Sequence, residues 1–173
     1  PGVDTGESDG AMTTPAGDGI FRKPPGRITR WLFRSPLYLY RIGLGRMLGR
    51  RALLLEHTGR KSGLPRETVL EVIRHDDQSF DIAAAYAAKS DWFRNIEADP
   101  NVRISTGRIQ HAEATAVLAD VAIAEAAFAD YTEAHPAAAK VFGKSLGLPV
   151  DDPARMAAVV PVVRITLTTA ADA

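Results

Sequence analysis

From Ala52 onward the sequence is cut into short apolar runs, each stopped within a few residues by glycine, proline, asparagine or aspartate. That punctuation restricts the fold more than any other feature, because it divides most of the chain into short strands joined by tight turns. Leu53–Thr58 and Glu67–Arg74 read as strands flanking the Gly-rich stretch HTGRKSGLPR at residues 57–66. His75-Asp76-Asp77 is the next turn, and Ser79–Ala85 is a third strand ending in small residues. Asp91–Ala98 reads as a short helix with an acidic start, closed by Asp99-Pro100-Asn101. Val102–Thr106 and Arg108–Leu118 form a hairpin about Thr106-Gly107. Asp120 caps an alanine-rich helix reaching Ala134, and His135-Pro136 opens a further helical region through Leu146. Asp152-Pro153 starts a small helix, and Val159–Leu167 is a last strand with Pro161 at a sheet edge. About six short, mostly antiparallel strands with few short helices predict an α+β chain whose sheet curls into a closed or half-open barrel. No strand–GxGxxG–helix unit is present, which argues against a dinucleotide-binding doubly wound sheet.

The segment before the strands has a different character. Residues 1–19 carry four acids and no bases and offer nothing to bury, so they read as a disordered acidic tail. Residues 20–51 carry nine Lys or Arg and no acids, and they read as a basic, amphipathic helical arm. Ser35-Pro36 starts a helix there, with Ile28, Trp31 and Leu32 before it and Leu37, Tyr40, Leu44, Met47 and Leu48 after it at helical spacing. Such an arm can lie on an anionic membrane surface, or its apolar stripe can pack on the domain. It has no recognised nucleic-acid motif, so no nucleic-acid partner is expected. Residues 52–169 make up the strand-rich domain. The chain has no cysteine, which removes thiol catalysis and Cys-based metal sites and fits a reducing cytoplasm. No apolar run is long enough to span a membrane, and the first twenty residues do not resemble a signal peptide. The first residue is proline instead of methionine, as in a processed or trimmed chain. A cytoplasmic protein is expected, peripheral at the inner membrane face if the arm docks there.

Hydrolytic chemistry has little support. There is no GxSxG elbow, and His57, His75, His111 and His135 show no metal-ligand spacing, so no metal is expected. His111 falls in a strand and reads as structural or surface. The acidic pairs Asp76/Asp77 and Asp151/Asp152 read as turn and cap residues. Three stretches remain: residues 57–66, the strand end Ala83-Ala84-Ala85-Tyr86, and Ser90-Asp91-Trp92-Phe93-Arg94-Asn95. The first is either a solvated basic turn or a loop whose backbone N–H groups and cations hold an anion. Alanines at a strand end let a flat ring approach the backbone, and a tryptophan opening a helix can wall that ring. The set suits a ligand with a flat aromatic head and an anionic tail.

The order LLLEHTGRKSGLPRETVLEV, FDIAAAY, DWFRNIEADPNVRISTG resembles the deazaflavin-dependent nitroreductase family of actinobacterial proteins. The resemblance covers about residues 52–118 and, more loosely, 159–167. It implies a split β-barrel and coenzyme F420, a deazaflavin with a phosphate and an oligoglutamate tail; FMN is the alternative cofactor. By resemblance, Arg60, Lys61 and Ser62 hold phosphate or carboxylates, and Arg66, Thr68, Val69 and Leu70 follow along the cofactor. Ala83, Ala84, Ala85 and Tyr86 lie beside the deazaflavin, and Trp92, Phe93 and Asn95 line the same pocket. Many relatives have a serine and a lysine, or a Gly-Gly pair, where this chain has Ala85-Tyr86-Ala87-Ala88. The implied activity is hydride transfer from reduced F420 to a small electron-poor acceptor such as a quinone, an enone or a nitroaromatic. A non-catalytic F420- or lipid-binding role is the alternative. Tyr86 is the candidate proton donor, and a homodimer is a further expectation.

Overall fold

The computed structural model describes residues 49–148 and 151–168. The expected tail and most of the expected arm, including its two helices, lie outside those residues. A single turn of 3-10 helix ends at Arg51 and leads into the strands.

Seven strands form one antiparallel sheet: β1 (Ala52–Thr58), β2 (Pro65–Glu71), β3 (Arg74–His75), β4 (Ser79–Ala83), β5 (Asn101–Thr106), β6 (Ile109–Leu118) and β7 (Val162–Leu167). Their order across the sheet is β2-β1-β5-β6-β7-β4-β3. The two edge strands, β2 and β3, are therefore far apart in the sheet but separated in sequence only by Val72 and Ile73. A link that short spans at most about 11 Å, so the sheet must curl until its edges meet. The hydrogen bonds mark the place. Val72 N–H donates to Arg51 O at 2.8 Å on the β1 side, and Ile73 N–H donates to Asp81 O at 2.9 Å on the β4 side. The barrel is closed there. It is open along the other end of β2, where Pro65, Arg66 and Glu67 are exposed. This is the split barrel that the sequence predicts, with one strand more than expected. The continuous run Glu67–Arg74 breaks at Val72-Ile73 because the chain changes ladders there.

The core divides between two sides of the sheet. Leu53, Leu55, Phe80, Ile82, Val102, Ile104, Val163 and Ile165 fill the barrel. Among the described residues, α1 (Asp91–Ala98) lies between β4 and β5, and α2 (Val121–Ala134), α3 (Pro136–Leu146) and α4 (Pro153–Val159) lie between β6 and β7. α1 plugs the barrel with Phe93 and Ile96, three residues apart on one face. The others pack on the outer face of β4 and β7, where Phe128, Tyr131, Met156, Val160 and Val162 form a second cluster. β7 starts against the helices at Val162 and turns Val163 and Ile165 into the barrel, while Arg164 between them pairs with Asp81. The last strand starts at Val162 instead of Val159, because α4 runs through Val159. Pro161 precedes that interior strand instead of lying at an edge, and its carbonyl accepts from Ala84 N–H at 2.8 Å.

The caps and turns follow their chemistry. Asp120 and Asp152 accept from the N–H groups of Ile123 and Arg155, at 2.8 and 2.9 Å. Asp76 accepts from the N–H groups of Gln78 and Ser79 and from the Ser79 hydroxyl, each at 2.7 Å. His111 has φ 48°, where the β5–β6 register shifts by one residue. It is exposed, and its Nδ1 meets Glu56.

Candidate functional site

The β1–β2 hairpin carries the cationic loop Gly59–Leu64. Its backbone is knotted on itself. Gly59 N–H donates to Leu64 O at 2.9 Å, while Ser62 and Gly63 N–H donate to Gly59 O at 3.0 and 2.7 Å. Leu64 N–H donates to Ser62 Oγ at 3.3 Å, and Arg60 N–H donates to Asn95 Oδ1 at 3.1 Å. These donors are spent, so the cradle of backbone N–H groups allowed by the sequence does not form. An anion here therefore depends chiefly on side chains. Gly59 makes the knot possible: a Cβ on it would meet Ser62 Oγ at 2.9 Å and Leu64 O at 3.2 Å.

Arg60 turns toward α1. Its guanidinium donates to Asn95 Oδ1 at 2.8 Å and to Asp91 Oδ1 at 3.1 Å. Asn95 is itself buried, and its Nδ2 lies 3.1 Å from Nδ1 of buried His57. Burial lowers the pKa of His57 below the ordinary histidine value. A hydrogen bond with the Thr58 backbone opposes the lowering, nearby Arg66 adds to it, and Asp91 opposes it. Lys61, Ser62 and Arg66 are exposed.

Register places the remaining residues. Arg66, Thr68 and Leu70 stand opposite His57, Leu55 and Leu53, so they share the inner face of the barrel. Val69, opposite Leu54, faces the other way. Leu70, Ala84, Trp92 and Phe93 belong to the barrel cluster. Ala83 and Ala85 pack instead against the helices on the outer face, so the three alanines divide between the two sides of the sheet. Phe93 is buried in the core, and half-buried Trp92 meets it edge-on with ring centroids 5.8 Å apart. Tyr86 is half-buried where β4 ends, and its carbonyl accepts from the Ser90 hydroxyl at 2.9 Å. The structure thus groups Leu70, Ala84 and Trp92 on the barrel side. It places the cations Lys61 and Arg66 at the open end of β2 and ties Arg60 and Asn95 to each other. His57 was not singled out as a site residue from the sequence, although its place two residues beyond Leu55 in the inward alternation signals burial.

A cavity of about 410 Å³ bounded by Gly49, Arg50, Gly107, Arg108 and Ile109 lies beside the β5–β6 turn, away from this hairpin. Among the described residues no cluster of His, Asp or Glu could hold a metal ion, and no helix is long and apolar enough to cross a membrane.

A half-open barrel with an apolar inner wall and a cationic hairpin beside it defines the class of split-barrel proteins. The chain matches the F420H(2)-dependent quinone reductase family over residues 35–150, and it belongs to that family. It is thus a member of a family of F420H2-dependent oxidoreductases. Among solved structures it is similar to an F420-H2 dependent reductase (FDR-A), with 20% identity and a TM-score of 0.48, over 68% of this chain and 95% of that one. It is also similar to General Stress Protein 26 from Bacillus anthracis, with 17% identity and a TM-score of 0.47, over 78% and 89% of the two chains. HutZ, a heme storage protein from Vibrio cholerae, shares 14% identity at a TM-score of 0.41, over 75% and 89%. No curated protein matches the chain.

Proposed function

We propose that this chain binds coenzyme F420 at the open end of the barrel and uses its reduced form to reduce a small electron-poor acceptor, of which a quinone is the leading class. One observation carries the reading: exposed Lys61 and Arg66 flank the open end of an inner wall that includes Leu70, Ala84 and Trp92. That donor set fits a ligand with a flat apolar head and an anionic tail. The family match supports F420 over FMN.

In this reading Lys61 and Arg66 neutralise the phosphate and tail carboxylates, helped by the Ser62 hydroxyl. Thr68 and Leu70 continue the wall inward, and Ala84 leaves room for a ring. Trp92 shields that ring from water, while Phe93 and Asn95 act behind it by holding α1. Reduced F420, when bound, supplies a hydride from its central ring. The protein needs no nucleophile of its own. It orients the two partners and keeps the cleft dry, and Tyr86 Oη is the candidate group for giving a proton to the reduced acceptor.

The test is direct. Reduced F420 and menadione are mixed with and without the protein, and the return of oxidised F420 is followed by absorbance. The reading expects acceleration by the protein. Binding of F420 without turnover across quinones, enones and nitroaromatics would leave a binding protein and sink the enzymatic reading.

A further inference from the structure

Arg60, Asn95 and His57 form one chain of hydrogen bonds, and each bond in it has an assignable direction. The backbone N–H and Nη1 of Arg60 can only donate, and both point at Oδ1 of Asn95, at 3.1 and 2.8 Å. The carboxamide is thereby oriented, and the atom it presents to His57 is Nδ2, which also only donates. Nδ1 of His57, at 3.1 Å, must therefore accept. The ring is neutral and carries its proton on Nε2. A proton on Nδ1 would set donor against donor. Turning the amide over to relieve that would aim its NH2 group at Arg60.

We infer that His57 is a positioning residue for the cationic hairpin: as a neutral acceptor it fixes the Asn95 amide, and the amide fixes Arg60 against α1. Arg60 is then the latch of the loop, and the anion-binding charges are Lys61 and Arg66. The charged groups that bear on His57 are Arg66, its partner across the β1–β2 ladder, and Asp91 at the start of α1. Arg60 acts on it through Asn95. The functional consequence rests on the proposed F420 site, whereas the latch stands on its own geometry.

Two full-length variants separate acceptor from bulk. His57→Asn puts an amide oxygen where Nδ1 stands, and His57→Leu fills the space without an acceptor. Hydrogen exchange at the Arg60 amide, measured without ligand, stays slow in His57→Asn and becomes fast in His57→Leu. F420 affinity stays within about twofold of wild type in the first and falls about tenfold in the second. In the wild type both properties weaken as pH falls through the His57 titration, and in His57→Asn neither does. Unchanged Arg60 protection in His57→Leu, or equal loss in both variants, overturns the inference. If the Leu variant does not fold, NMR shifts of the His57 ring nitrogens decide the matter, because an Nδ1-protonated ring contradicts it. A wild-type protein that takes up no F420 would refute the cofactor reading, with Arg60 exchange still deciding the latch.

Discussion

Oδ1 of Asn95 accepts two hydrogen bonds from one residue, the backbone N–H of Arg60 at 3.1 Å and its guanidinium at 2.8 Å. This joins a loop between two strands to a helix that begins more than thirty residues later. Asn95→Leu removes the acceptor for Arg60 and the donor for buried His57 at once. The expected loss is about 3 kcal/mol of stability, since unsatisfied buried polar groups cost about 1–3 kcal/mol each. Urea denaturation gives the value from the midpoint at unchanged slope.

The pH dependence of stability follows from the same network. The folded-state pKa of His57 is lowered, chiefly by burial, so the unfolded chain takes up this proton more readily. Its contribution is complete above the ordinary histidine pKa of 6.5 and is lost as pH falls through the lowered folded value. Asp76 adds a second window. The Ser79 hydroxyl and then the Gln78 N–H hold its carboxylate below 3.8, so its contribution disappears as pH falls through that lowered value. Melting temperature across pH, compared between wild type and His57→Asn, is expected to lose only the upper window.

The loop glycines differ in kind. A Cβ at Gly59 would press on Ser62 Oγ and Leu64 O, whereas Gly63, at φ 65°, has nothing within 4 Å of an added Cβ. Gly63→Ala therefore meets only left-handed backbone strain, about 1–2 kcal/mol. Gly59→Ala has to open the knot. It is expected to speed hydrogen exchange at Ser62 and Gly63, and Gly59→Ala combined with Ser62→Ala is expected to recover part of the protection.

Much of this was legible in the residues. Turn chemistry located the hairpins at residues 59–64 and 107, and caps at Asp120 and Asp152 set helix starts that the structure reproduces. Two things were not legible. Glu67–Arg74 reads as one strand, because periodicity does not reveal that Val72 bonds to Arg51 at the start of β1 and Ile73 to Asp81 on β4, toward opposite ends of the strand order. The loop sequence shows which donors exist and not where they are spent. Arg60 looked as available as Lys61 until Asn95, distant in sequence, was placed against it. The three adjacent alanines at 83–85 likewise looked equivalent, and strand alternation sends them to different sides.

Between β4 and β7, Arg164 grips buried Asp81 with two bonds of 2.8 Å from the register-paired position. Arg164→Met leaves a buried carboxylate without its partner, at an expected cost of about 3–5 kcal/mol. Changing Asp81 to Asn in the same chain removes the charge and is expected to recover part of that loss. Thermal or chemical denaturation of the single and double variants checks both statements.

The central claim is that exposed Lys61 and Arg66, and not Arg60, hold the anionic part of F420. The most direct measurement is fluorescence titration of F420, and of the same deazaflavin lacking its phosphate and glutamate tail, into wild type and Lys61→Ala/Arg66→Ala. The account predicts that the double variant loses at least about tenfold in affinity for F420, since charge-assisted bonds contribute about 1.5–3 kcal/mol each. Affinity for the tail-less chromophore should change by less than about twofold, because the apolar wall that would bind it is untouched. Unchanged affinity for F420, or equal loss for both ligands, would contradict it.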